Sequence, residues 1–334
     1  MENLFGLIIT GLAIGSVYAL VAMGFALIYK STSIINFAQG EFVLVGGYVA
    51  LWLYTDLRGL AFEALAQARP EVFAALSPAG WQLVVVAAAF LLTIVAGLVM
   101  VLALERLILR PMIGEPIISV IMVTIALATV LKGLVTLIWE TQIRNFDPPI
   151  FQQQDGLRLG VITLPGVYLW IFFFAALFLV SFALFFKFTR VGVSMRAVAA
   201  DQQVAQSMGI SVKTVFAISW SIGAVVAVVG GMLVGNINGV NIELSHFGLT
   251  VFPAVILGGL ESVGGAIIGG LVIGLVQYLG PELVGQAVAL YNRAFDAALV
   301  TPGNLEAVLP FVVLIAILMV RPYGLFGIKE IERV

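Results

Sequence analysis

Long apolar runs restrict this chain to a small set of folds. They cover Leu4–Tyr29, Ile34–Tyr54, Trp81–Leu104, Ile117–Trp139, Gly166–Phe186, Val215–Val234, a glycine-rich stretch at Val251–Leu279, and Leu305–Val320. A helix of about 20 residues, rising ~1.5 Å per residue, crosses a ~30 Å hydrocarbon core. Of 334 residues, 62% are hydrophobic and only 10% charged, too few charges to cover a soluble domain. The fold class is therefore all-α, a polytopic transmembrane helical bundle. The same composition excludes a secreted disulfide scaffold (no Cys) and a disordered regulator. The net charge of −2 gives no basic surplus for nucleic acid. One His and no Cys leave little for a zinc or iron–sulfur site.

Residues 1–3 carry Glu2 and no basic residue, and the first apolar run is too long for a signal-peptide core. It is expected to stay as a transmembrane helix. The glycine-rich stretch reads in two ways. Gly258, Gly259, Glu261, Gly264, Gly265, Gly269, Gly270 and Gly274 mark either two crossings with a turn at Glu261, or a re-entrant segment plus one crossing. Sorting the loops alternately puts Lys30, Arg106, Arg110, Lys187, Arg190, Arg196, Lys213, Arg321, Lys329 and Arg333 on one side. Only Arg58, Arg69, Arg144, Arg158 and Arg293 fall on the other, where most acids lie. The positive-inside rule then sets the N-terminus outside and the C-terminus in the cytoplasm. That parity needs an odd number of crossings, which favours nine over eight. The stretches 55–80 and 140–165 read as external caps.

Polar residues inside the spans are the candidate functional groups. In I-N-F-A-Q-G-E (Ile35–Glu41), Asn36, Gln39 and Glu41 open the second span. They either line a pathway, with Gly40 as a gating hinge, or hydrogen-bond helices together near an interface. Lys132 either binds a substrate carboxylate or snorkels toward the interface near Trp139. Asn236, Asn238 and Asn241 read as vestibule or turn residues, and His246 as interfacial. The pairs Gly231/Gly235 and Gly265/Gly269 read as close helix packing, as does an echo between Gly11/Gly15 and Gly270/Gly274.

The chain has no nucleotide-binding G-x-x-x-x-G-K-[ST] and no H-E-x-x-H or G-x-S-x-G. It reads as a conduit without its own engine. Its most polar cytoplasmic stretch is Thr189–Ser211, within which one helix is expected from an Ser194 cap to Met208, ended by Gly209. Ala197, Val198, Val204, Ala205 and Met208 offer small or apolar contacts, with Arg196 and Asp201 at the rim. Such a helix suits docking into a partner's groove.

Several separated motifs resemble the LivH-type permeases of ABC importers for branched-chain amino acids. They are G-x-x-x-G-S-x-Y-A-L (Gly11–Leu20), I-N-F-A-Q-G-E (Ile35–Glu41), E-R-x-x-x-R-P (Glu105–Pro111), R-A-V-A-x-D-x-x-x-A-x-x-x-G-I (Arg196–Ile210) and V-I-L-G-G-x-x-S-x-x-G-A-x-x-G-G (Val255–Gly270). The chain departs from the family pattern at Glu261 and Gly264. The resemblance implies one permease domain over 1–334, working as a non-catalytic subunit in a bacterial or archaeal cytoplasmic membrane. It implies a second homologous permease, two cytoplasmic ATPases that hold ATP and magnesium, and an extracytoplasmic substrate-binding protein. It also implies that residues about 189–212 couple to the ATPases. Related permeases carry urea or short amides, so the substrate class stays open on motifs alone. An ion-coupled carrier using Glu41 and Lys132, or a purely structural subunit, are readings of other classes.

The charge sorting predicts the sidedness of single cysteines, in a chain that has none of its own. Arg58→Cys and Arg144→Cys should react with an impermeant thiol reagent added outside, and Arg106→Cys and Lys329→Cys should not. The reverse pattern would refute the orientation.

Overall fold

The computed structural model describes residues 2–68, 78–139, 141–147, 150, 157–159, 162–296 and 298–327. In chain order the helices are α1 (Glu2–Thr32), α2 (Gln39–Ala68), α3 (Pro78–Leu104), α4 (Ile117–Trp139), α5 (Gly166–Phe188), α6 (Arg190–Ala200), α7 (Gln202–Ser207), α8 (Val212–Asn238), α9 (Phe247–Gly258), α10 (Val263–Phe295) and α11 (Leu305–Val320). Among the described residues, six helical stretches are long and apolar enough to cross a membrane: Leu4–Thr32, Gly80–Met112, Ile117–Trp139, Gly166–Phe188, Val212–Asn238 and Val263–Phe295. A short antiparallel hairpin, β1 (Leu157–Leu159) with β2 (Ile162–Leu164), is the one addition to the helical plan among these residues.

The chain divides into two compact units. The first comprises residues 1–30, 153–188 and 249–334. Here the glycines of α1 face those of α10. A Cβ at Gly11 would lie 3.0 Å from the Gly274 carbonyl, and one at Gly15 would lie 3.1 Å from Leu271 Cα. The two small-residue pairs that echo one another in sequence thus pack against each other, antiparallel. Without a hydrophobic drive between helices in lipid, such close backbone approach supplies the dispersion contacts. The Tyr18 hydroxyl adds a bond across the same interface, donating to Gln277 Oε1 at 2.6 Å.

The glycine-rich stretch forms a hairpin of unequal arms. Gly259 turns the chain at φ +100°, and the Ser262 Oγ accepts from Gly265 N at 3.0 Å to start α10. The turn at Glu261 is as expected. The arms differ in length, α9 having 12 residues and α10 33. At ~1.5 Å per residue α9 reaches only about 18 Å. Its last carbonyls would be orphaned, but the segment after α11 folds back onto them. Leu325 N donates to Leu257 O at 2.8 Å, and Phe326 N to Gly258 O at 3.2 Å.

The second unit comprises residues 31–152 and 189–248. Its centre is the parallel pair α2 and α8, where a Cβ on Gly46 or Gly231 would collide with the backbone at Val228 or Val43. Trp220, Tyr48, Tyr54, Phe42 and Met195 are fully buried there. The chain beyond α4 is tied to the end of α8 by a bridge in which Arg144 N donates to Val240 O at 3.0 Å and Val240 N to Arg144 O at 2.7 Å.

Two expectations are corrected. The second span does not begin at Ile34, because residues 33–38 are non-helical and α2 starts at Gln39. It then runs to Ala68, so residues 55–68 are helix rather than loop; 69–77 lie outside the described residues.

A methyl group at two glycines of α10 should separate packing from helix propensity. Gly274→Ala places its Cβ against α1 backbone and should destabilise the detergent-solubilised chain by ~1–3 kcal/mol. Gly285 has nothing within 4 Å, so Gly285→Ala should be neutral or stabilising by up to ~1 kcal/mol. Thermal unfolding of the two variants side by side decides this.

Candidate functional site

The I-N-F-A-Q-G-E motif builds the entry to α2 from side chains that stand in for a broken helix. Ser33 takes φ 57°, and the chain stays irregular to Ala38. Asn36 Oδ1 accepts from Ala38 N at 3.0 Å, a local capping turn. Asn36 Nδ2 donates to Gln39 Oε1 at 3.0 Å, and Gln39 Nε2 donates to Gly223 O at 3.0 Å. Gly223 lies near the middle of the 27-residue α8, so this break sits beside the interior of a span-length helix. Both amides are only 1% exposed, and both serve the fold. Gly40 has no room for a side chain, since a Cβ would meet Ser245 O and Gly248 Cα.

Glu41 points elsewhere. With Phe37 it borders an open groove of about 800 Å³ along α4, lined also by Ile125, Ala128, Thr129, Lys132, Gly133, Thr136 and Leu137. Lys132 sits two turns before the end of α4, within a helix otherwise exposed through Leu134, Leu137 and Ile138. Asn36, Gln39 and Gly40 are not among the lining residues. The motif thus divides between structural amides and one carboxylate on the groove. Phe37, Thr129 and Thr136 were missed as site residues. Thr129 and Thr136 stand three before and four after Lys132, a polar stripe at helical spacing in an apolar span. That spacing was the available signal.

The segment expected to be one helix from Ser194 to Met208 is two. Thr189, not Ser194, caps α6, its Oγ1 accepting from Gly192 N at 3.0 Å. Ser194 lies inside α6 and donates to Arg190 O at 3.1 Å. Asp201 breaks the run at φ −161°, because its carboxylate accepts from Gln203 N at 2.8 Å and Val204 N at 2.9 Å and so caps α7. Two charge-assisted bonds at a helix start outweigh one lost helical repeat. Gly209, at φ +81°, ends α7 as expected. Arg196 and Asp201 are exposed, and Ala197 is half-buried. Ala205 is not available for contact, being 3% exposed within its own chain. Of the expected contact residues, Val204 at 59% and Met208 at 78% exposure stand on the surface, one turn apart.

A family model described as the branched-chain amino acid transport system permease component matches residues 7–318. The chain belongs to this permease family. It is similar to the high-affinity branched-chain amino acid transport system permease protein LivH of Escherichia coli (strain K12), at 29% identity over 97% of this chain and 96% of the relative. The corresponding permease protein BraD of Pseudomonas aeruginosa is 29% identical over 98% of this chain and 97% of BraD. A probable LivH of Methanocaldococcus jannaschii is 29% identical over 94% and 90%. No solved structure gives a significant match. As a member of this family, the chain is a multi-pass membrane permease of the ABC transporter class.

In this permease the paired amides should behave as one unit. Gln39→Leu leaves the Asn36 amide donor buried without its partner and should cost ~1–3 kcal/mol in thermal unfolding. Asn36→Ala combined with Gln39→Leu should cost less than the sum of the single changes. Strict additivity would show that the two amides do not work together.

Proposed function

We propose that this chain is the non-catalytic membrane subunit of an ATP-driven importer, sharing a pathway for branched-chain or other hydrophobic amino acids with a second homologous permease. One observation carries the reading. Glu41 and Lys132 flank an open groove on a helix whose large exposed side chains are otherwise apolar. A charge at that depth does not face acyl chains at low cost, so it faces a water-filled path or another protein. A second permease covering the groove meets both conditions, with the pathway running between the two chains.

The rest of the reading follows from family membership. Residues 1–334 act as one permease domain, with the N-terminus outside and the C-terminus in the cytoplasm. An external binding protein, as the family's transport systems imply, delivers the amino acid. Two cytoplasmic ATPases bind ATP and magnesium and dock on residues 189–212. Within that segment Val204 and Met208 form the apolar contact, Arg196 and Asp201 its charged rim. Gly209 then turns the chain back toward α8, so that movement of the docked ATPase pulls on that helix.

The docking surface is tested in the complex reconstituted with its ATPases and binding protein. Met208→Glu places a charge in the contact, where an unpaired buried charge costs ~3–5 kcal/mol, and should cut ATP-driven uptake about tenfold or more. ATPase co-purification should weaken in parallel. Ala205→Glu instead buries its charge inside the subunit and should lower the yield of folded chain. Full uptake and full ATPase binding in Met208→Glu would overturn docking at this face.

A further inference from the structure

The groove carries two opposite charges that are not in direct ion-pair contact. Glu41 and Lys132 both line it, and no ion pair joins them. The two lining hydroxyls are already engaged. Thr129 Oγ1 donates to Ile125 O at 3.1 Å, and Thr136 Oγ1 to Lys132 O at 2.9 Å. The remaining walls, Phe37, Ile125, Ala128 and Leu137, are apolar. At about 800 Å³ the space lies within the size range of small-molecule sites. A separated cation and anion beside an apolar wall match one ligand class closely. An α-amino acid presents a carboxylate, an ammonium and an apolar side chain from one carbon.

We propose that Lys132 and Glu41 are a zwitterion-reading pair. The Lys132 ammonium takes the substrate carboxylate, the Glu41 carboxylate takes the α-ammonium, and Phe37, Ile125 and Leu137 cover the aliphatic side chain. The proposal rests on the groove being the pathway, as argued above. It gives the proposed amino acid substrate a residue-level means of recognition that urea and short amides, which carry neither charge, do not engage. The energetic argument is reciprocal. An amino acid leaving water loses the hydration of both its charges, and two fixed opposite charges replace that hydration without net charge transfer into the membrane. Two single-charge contacts, rather than a fully buried bidentate cage, also suit a conduit, which must release what it binds.

The test uses the complete transporter in proteoliposomes, with Thr136→Cys as a reporter in a chain without native cysteine. The uptake of this reporter protein sets the reference. Labelling by a small thiol reagent is timed with leucine, with leucinamide (no carboxylate) and with 4-methylpentanoate (no amine). We expect leucine to slow labelling and the two analogues to leave it unchanged. Lys132→Met and Glu41→Gln should each abolish protection by leucine and lower uptake about tenfold, roughly one charge-assisted contact, with subunit co-purification intact. Lys132→Arg keeps the cation and should keep protection. Protection that survives Lys132→Met and Glu41→Gln, or equal protection by leucinamide, overturns the zwitterion pair while leaving the groove on the pathway. Loss of subunit co-purification in both charge variants also overturns it, assigning the charges to assembly. A reporter that never labels, or labels identically whatever is transported, overturns the pathway reading itself.

Discussion

In a hydrocarbon surrounding, every backbone N–H and C=O must find a partner within the protein, and this structure is organised around the places where a helix stops short. There are two such places among the described residues. In the second unit, the break at residues 33–38 is closed by Asn36 and Gln39, which reach the backbone of Ala38 and Gly223. In the first, the end of α9 is closed by Leu325 and Phe326 from the segment following the last helix. One solution is a local side-chain cap and the other uses chain distant in sequence, and both do what water does at the end of a soluble helix.

The polar residues of the spans sort by this duty. Asn36 and Gln39 are consumed by it. Asn236 Oδ1 similarly accepts from Ile150 N at 3.2 Å, and Asn241 starts a 3-10 turn by accepting from Glu243 N at 2.9 Å. Glu41 and Lys132 have no such backbone-closing role between elements, and both border the groove. A cost that buys no structure is the physical mark of a functional group. Glycine supplies the complementary half of the design: along α1, α2, α8 and α10 it lets helices approach at backbone distance, where side chains would hold them apart.

Much of the fold was legible from hydropathy. The runs at Ile117–Trp139 and Leu305–Val320 coincide with α4 and α11. The glycine pairs were correctly read as packing devices. Hydropathy failed where a cap, rather than apolar content, set the boundary. The run starting at Ile34 is apolar on average, but Asn36 captures the backbone and holds the helix off until Gln39. Asp201 does the same in the polar segment, splitting one expected helix into α6 and α7. A side chain that competes for backbone bonds is a single residue in a window of twenty, and an average over that window cannot register it.

The sequence by itself determined the membrane class, the family and most helix limits, because each depends on local composition or on motifs read along the chain. Tertiary structure alone decided which faces are available. Ala205 and Met208 are both small or apolar residues of one segment, yet one is sealed inside the chain and the other stands free. Asn36 and Glu41 share one motif, yet one is turned inward and the other onto the groove. The reason is geometric: neighbouring residues in helices and turns point in different directions, and only the packed neighbours settle which of those directions is core.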